Sequence, residues 1–592
     1  MQDATKIRPR GITSTKLAPS FLAVVHFFAL IPFTRLDFDR HHDGYMVTVA
    51  TALREGRNLH SEIASQYGPL TSWSQIPFTF LPFSTGLDLR LWTAATLAAT
   101  TFAIASLGFH APRDWRINPR ASLTASLLWT LLNPTWLGLS LHPWSSILVG
   151  LILASAMLAL ISSYSSQGKR HDWSLLVSGF LVGVSPFARI NAGSAAVILI
   201  CLGSFFLAFL YHELRRDFRL LIFGLSSGIT LIVLVLFSQQ SLTAYSGQSV
   251  IDVLSYLTDR TGPDSFNTFS GLFRVAREHV LTIGIIIFAG AAYRANGKII
   301  KSLATIAASF TFVRSIIRHL IDDSNQAILT WIQSGDWDIH YSRFFVYFFL
   351  TAGVAIAFVA LARSLLNRNL TRRVLTLREQ QERTVETFLL LLALALLVQI
   401  VPTWDIRHVW WAMPLLLVFS TTQLDDYSRR PFLRRHLLSL PALTLTLFVV
   451  FGVHDTLSRH RVIHPAGINS SGFLSDPWTA REIRMDSEFL EANLAPATTF
   501  VPLVFNYDLV SLFGSYQGSD AFFVPASRSS PQLWVRLSTA GFVLLDHEPG
   551  LYANDNSIFD QVQNYPSSVL ARSQRLVILE LDHPRSKMES SR

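Results

Sequence analysis

The sequence predicts an all-α polytopic membrane domain of about thirteen helices, followed by a small α/β or α+β domain. Three observations predict it. Of 592 residues, 50% are hydrophobic and only 15% are charged, with a mean hydropathy of +0.35; a soluble chain carries about 25% charge. The apolar residues gather into runs close to the ~20 residues that one bilayer crossing needs. Beyond residue 455, charges and prolines return. This composition excludes a soluble enzyme, a disordered scaffold and a disulfide-rich secreted module. The net charge of +9 does not indicate nucleic acid, because the basic residues sit in loops between apolar runs, which is a topology signal. Cys201 is the single cysteine, so neither an intrachain disulfide nor a cysteine metal cluster can form.

The runs are, in order, 17–34, 89–109, 121–138, 144–163, 173–189, 192–211, 218–238, 278–293, 300–320, 343–363, 384–402, 408–424 and 437–454. Two are less clean: 121–138 contains Pro134, and 300–320 contains Arg314 and Arg318. The stretch 173–212 is too long for one span, and Pro186, Arg189 and Asn191 divide it. The run 17–34 reads as a retained span, since no small-residue cleavage pattern follows it. Every second loop, from 110–120 with Arg113, Arg116 and Arg120 to 425–436 with Arg429, Arg430, Arg434 and Arg435, is basic. The loops between them are poorer in Lys and Arg, and a wrong helix count would break that alternation. The expected layout is a cytoplasmic tail 1–16, a membrane domain 17–454 with a first outer loop 35–88, and an extracytoplasmic domain 455–592. In that last domain 498–505, 509–513, 541–545 and 575–581 read as strands, and 478–494 and 556–564 as helices.

The first outer loop carries the densest chemistry. Asp37, Asp39, Arg40, His41, His42 and Asp43 follow a span within seven residues. Tyr45, Val49 and Leu53 then recur at helical spacing, predicting a short amphipathic helix on the outer membrane surface that ends at Gly56. A turn follows at Tyr67-Gly68-Pro69, and 76–86, with Pro77 and Pro82, reads as an interfacial segment.

This arrangement of a span, an acidic outer loop, a DGY step, a helix and a YGP turn resembles the polytopic GT-C glycosyltransferases, which use lipid-phosphate-linked sugars. Asp43-Gly44-Tyr45 is similar to the Asp-Glu-x-x-Tyr region of the protein mannosyltransferase and aminoarabinose transferase branch. It departs from that pattern in having Gly44 for the second acid and a closer tyrosine. The resemblance implies a polyprenyl-phosphate sugar donor, a glycan, lipid or protein acceptor of the cell envelope, and a bacterial inner or plasma membrane as the location.

That chemistry needs a carboxylate to take the acceptor proton and cations for the leaving phosphate. Asp43 is the first candidate base, and it also fits as the N-cap of the following helix; Asp39 and Asp37 are the alternatives. No cofactor is demanded, but Asp37 and Asp39 could hold a divalent cation, Mg or Mn, through oxygen ligands. His41, His42, Tyr45 and Tyr67 are candidate substrate contacts. Arg189 and the pair Arg407 and His408, at outer turns between spans, are candidate phosphate clamps, set against snorkelling and ion pairing with Asp405. Trp404, Trp410 and Trp411 read as an interfacial aromatic belt. Asp338, His340 and Arg343 form an acid–aromatic group suited to sugar binding, set against an ordinary solvated loop. Two other readings stand beside the transferase: a lipid or glycan transporter, and a non-catalytic assembly protein of envelope polysaccharide synthesis.

Overall fold

A computed structural model describes residues 17–36, 38–40, 42–63, 65, 67–137, 141–247, 375–400, 406–427, 462–463, 473–475, 477–495, 500–503, 541–546 and 567–581. The runs 278–293, 300–320, 343–363 and 437–454 lie outside them, as do segments 509–513 and 556–564 and the tail 1–16.

Among the described residues, five helical stretches are long and apolar enough to cross a membrane: Ala18–Arg35, Thr85–His110, Ser145–Tyr164, Ile190–Leu210 and His212–Ser238. The α-helices of more than four residues are α1 (Ala18–Leu30), α2 (His42–Arg54), α3 (Pro69–Gln75), α4 (Thr85–His110), α5 (Pro119–Leu131), α6 (Ser145–Tyr164), α7 (Lys169–Val184), α8 (Ile190–Leu210) and α9 (Arg215–Ser238). After them come α10 (Leu377–Leu397), α11 (Ile406–Ala412), α12 (Pro414–Tyr427) and α13 (Pro477–Asn493).

Local chemistry sets the ends. Asn118 caps α5, its side chain accepting from Arg120 N and Ala121 N, with Pro119 in the first turn. Thr376 and Glu379 form a capping box at α10. Inside α4, the hydroxyls of Thr93, Thr96, Thr100 and Thr101 each donate to the carbonyl four residues earlier, which lets a threonine-rich helix be buried.

Two expected runs are broken. The run 121–138 is a 13-residue helix and a 3-10 turn (Pro134–Leu137), because Pro134 cannot continue the helical ladder. The run 408–424 divides between α11 and α12 at Met413-Pro414 for the same reason. Trp129 and Trp410 stack at 4.6 Å and 5°, and each indole N–H donates to the other's carbonyl, at 3.1 and 2.8 Å. That reciprocal pair ties α11 to α5.

Helices α7 and α9 meet through glycines. A Cβ on Gly179 would lie 1.9 Å from the Leu221 carbonyl oxygen, and one on Gly224 would lie 2.2 Å from that of Leu176. Small residues let backbones pack this closely. Gly179→Val is therefore expected to force α7 and α9 apart and to lower the thermal midpoint of the purified protein in detergent. An unchanged midpoint would show that this contact contributes nothing.

The C-terminal part carries a four-stranded sheet of order β3-β4-β6-β5, formed by β3 (Phe500–Leu503), β4 (Phe542–Asp546), β5 (Ser567–Arg572) and β6 (Leu576–Leu581). β3 runs parallel to β4, and the other pairings are antiparallel. The pair β1 (Val462–Ile463) and β2 (Leu474–Ser475), and strand β5, were not expected from the sequence. Ile483 and Leu490 of α13 pack with Leu544, Leu576 and Ile578 of the sheet. Phe38 of the first loop joins this core, its ring 4.9 Å from that of Phe473.

Candidate active site

The first loop folds inward. Nine of the thirteen residues of α2 are buried, including Tyr45, Val47 and Val49. They pack with Leu59, Ile63 and Leu89. The expected helix on the membrane surface is thus an interior helix, buried against Leu59, Ile63 and Leu89. Gly56, at φ +87°, ends the turn after it as expected.

Asp39, not Asp43, caps α2. Its Oδ1 accepts from His42 N at 2.8 Å, and its Oδ2 lies 2.9 Å from His42 Nδ1. Asp43 is one turn on. Its Oδ1 accepts from Arg90 Nε at 2.9 Å, and its Oδ2 accepts from Arg90 Nη2 and from Asp39 N, the latter at 2.9 Å. Arg90 is wholly buried near the start of α4, where it also donates to the Leu36 carbonyl at 3.2 Å and lies over the Phe473 ring at 5.5 Å. The side chain of Asp39 is 23% exposed and that of Asp43 only 2%.

The loop between α5 and α6 brings His142 against this pair. Its Nε2 lies 3.4 Å from Asp39 Oδ2 and its Nδ1 3.9 Å from Asp43 Oδ2. Arg407 Nη1 bonds to Nε2. A guanidinium only donates, so Nε2 is an acceptor and the ring proton sits on Nδ1, facing Asp43. Burial, reinforced by Arg407, holds this imidazole well below its ordinary range, so it is neutral at physiological pH. Burial works against ionisation of Asp39, and the hydrogen bonds that His42 donates favour its carboxylate. Burial pushes the Asp43 carboxyl up, and Arg90 opposes that push.

Linkage follows from the neutral His142. Below the ordinary imidazole pKa of 6.5, the unfolded chain binds a proton there that the folded chain refuses. Stability therefore falls as pH drops through that value. The thermal midpoint is expected to fall between about pH 7.5 and about pH 5.5, and to fall less in His142→Gln, whose amide can still accept from Arg407. Equal slopes would refute a neutral-held His142.

Aromatic rings line the same place. Trp144 has His42 at 4.6 Å, His408 at 5.0 Å and Trp411 at 5.0 Å, with Tyr67 at 6.4 Å. Tyr45 meets Tyr67 edge-on at 5.7 Å. Trp410 and Trp411 are both buried, so they are interior packing and not an interfacial belt; Trp404 lies outside the described residues. Arg189 donates to Asn191 Oδ1 at 3.2 Å and to the hydroxyl of Ser145, the neighbour of Trp144, at 3.1 Å. It therefore stands at the edge of the aromatic group.

Of the residues singled out from the sequence, the structure gathers Asp39, Asp43, His42, Tyr67, Arg407 and His408, with Tyr45 behind them and Arg189 beside them. Asp37, His41, Asp338, His340 and Arg343 lie outside the described residues. Sequence reading missed Arg90, His142 and Trp144. Arg90 had a signal, a charge inside an apolar run; His142 had none beyond a short loop between two spans, and Trp144 none beyond opening the run 144–163. It also missed Arg40 as a tie to the C-terminal part. Arg40, buried next to Asp39, donates to Asp486 of α13 at 2.9 Å, and Glu482 lies 3.8 Å away.

Asp39, His42 and His142 present ligand atoms within 4.8 Å of one another, a candidate cation site. With Asp37 outside the described residues, the donor set is two imidazoles and one carboxylate. That set suits a zinc-like ion better than the oxygen-loving magnesium expected from the acidic pair.

No protein-family model matches the chain, and no curated relative matches it. Solved structures do match. ArnT from Cupriavidus metallidurans bound to undecaprenyl phosphate aligns over 96% of this chain and 98% of its own, at 12% identity and a TM-score of 0.40. The Archaeoglobus fulgidus oligosaccharyltransferase in complex with Zn and sulfate aligns over 89% and 68%, at 13% identity and a TM-score of 0.46. The same organism's AglB with an inhibitory peptide and a dolichol-phosphate aligns over 90% and 69%, at 12% identity and a TM-score of 0.46.

Proposed function

We propose that this chain is an integral membrane glycosyltransferase. It transfers a sugar from a polyprenyl-phosphate donor to a glycan, lipid or protein acceptor of the cell envelope, on the outer face of the membrane. The observation that carries the reading is the ionised, partly exposed Asp39 set among His42, His142, Arg407 and an aromatic wall at one end of the spans. The same reading puts the N-terminus in the cytoplasm and residues 455–592 outside.

In this mechanism the acceptor hydroxyl attacks the anomeric carbon as its proton passes to Asp39. The bond from that carbon to the phosphate oxygen breaks, and its electron pair leaves with the phosphate. Arg407, with Arg189 at the edge, meets that negative charge. Tyr67, backed by Trp144, offers an apolar face to a sugar ring. Asp43 takes no proton: Arg90 and the Asp39 N–H occupy its oxygens, and it positions the segment that carries Asp39. A divalent cation on Asp39, His42 and His142 would compete for the Asp39 carboxylate and the His142 Nε2 lone pair that this mechanism uses, so no step is routed through one.

The test is sugar transfer in membranes of cells lacking the chain, complemented with wild type or with Asp39→Asn. Expected are restored surface glycan with wild type, and accumulated lipid-linked donor with the variant at equal protein level. Full transfer by Asp39→Asn and Asp43→Asn alike would sink the proposal.

A further inference from the structure

The ends of α4, α6 and α10 that lie away from the candidate active site enclose a second feature, which needs no part of the transferase reading. Arg90 and His110 are 20 residues apart on α4. At 1.5 Å per residue that is about 30 Å, the thickness of a bilayer's hydrocarbon core. Helix α6 covers nearly the same distance from Ser145, next to Trp144, to Tyr164. At this far end, where α10 begins, lies an open cleft of about 610 Å³.

Its walls are of two kinds. Phe109, Tyr164 and Leu377 give apolar surface, and Leu377 is 46% exposed. Arg113, Arg378 and Gln381 give donors, and no carboxylate lines the cleft. Of the acids nearest in sequence, one pairs with a cleft arginine and two are engaged elsewhere. Asp114 pairs with Arg378, while Glu382 accepts from Arg116 N at 2.8 Å and Glu386 lies 3.6 Å from the Arg116 guanidinium. Arg113 is exposed and makes no ion pair or hydrogen bond among the described residues.

We propose that this cleft binds the phosphate headgroup of an anionic phospholipid in the leaflet opposite the candidate active site. Guanidinium forks match phosphate oxygens in geometry as well as charge. A free phosphate would need the arginines alone. A lipid also uses Phe109 and Leu377, which would otherwise present apolar surface at headgroup depth. The cationic rim accords with the attraction of basic residues near a membrane surface for anionic lipids.

The experiment uses the full-length protein purified in a neutral detergent. Phosphatidylglycerol, phosphatidylcholine and inorganic phosphate are each titrated, reading retained adducts by native mass spectrometry and the thermal midpoint. Phosphatidylglycerol is expected to bind and to raise the midpoint, with the other two doing neither. Arg113→Gln with Arg378→Gln should weaken its binding by about tenfold or more. If that double variant folds poorly, Arg113→Gln alone serves, since it breaks no ion pair among the described residues. Equal binding of phosphatidylcholine, or undiminished binding by the variants, would overturn the site. A midpoint shift from inorganic phosphate alone would overturn the lipid as its occupant. Each outcome is independent of sugar transfer.

Discussion

Asp39→Asn is expected to lower the turnover of sugar transfer by about 10²- to 10⁴-fold, the usual contribution of a general base, without loss of fold. The amide keeps an oxygen to accept the His42 N–H, so the cap of α2 survives. It loses the capacity to take a proton. Because the hydrogen bonds from His42 favour the native carboxylate, wild-type activity should stay flat through neutral pH, and the loss in the variant should be the same across it. The measurement is initial rate in proteoliposomes at varied acceptor concentration, which separates kcat from KM, with the thermal midpoint taken on the same sample. Asp43→Asn should behave differently, since its carboxylate offsets a buried guanidinium. Its midpoint should fall, and its remaining activity should track the amount of folded protein. If the two variants exchange behaviours, the base is Asp43 and Asp39 is the cap that positions it.

The sequence made the spans legible because a bilayer imposes a length and a polarity on each one, and both appear in a single chain. Helices α4, α6, α8 and α9 fall close to their apolar runs for that reason. The two broken runs carried their prolines in plain view, but a proline does not say whether a helix bends or ends. The environment of α2 was not legible: Tyr45, Val49 and Leu53 set an apolar stripe, and the residues that bury its other side come from elsewhere in the chain. The candidate site divides the same way. Its acids could be read, because seven consecutive loop residues held most of them. Their partners could not. Arg90 meets Asp43 from 47 residues away, and Asp486 meets Arg40 from 446 away. Only the fold brings such pairs together.

Arg90 is where these pieces meet, and its loss is expected to damage the fold most. Arg90→Met would leave Asp43 buried without its counter-charge, a loss that costs about 3–5 kcal/mol in comparable cases. It would also release the Leu36 carbonyl and the contact with Phe473. The expected result is little folded protein in the membrane and, in whatever is recovered, a thermal midpoint far below wild type. The informative partner is the double variant Asp43→Asn with Arg90→Met. Removing both charges removes the buried ion together with its partner, and replacing such a pair is often nearly neutral. The amide that Asp43→Asn introduces can still accept the Asp39 N–H through its oxygen, so the turn that carries Asp39 keeps a tie. The double variant should therefore recover much of the folded protein. It should also recover part of the transfer, because Asp39, His42, His142 and Arg407 are all retained. If Arg90→Met alone folds as well as the double variant, Arg90 does not neutralise Asp43. If the double variant folds but transfers nothing, the Asp43–Arg90 pair acts on the substrate and does more than hold the segment in place.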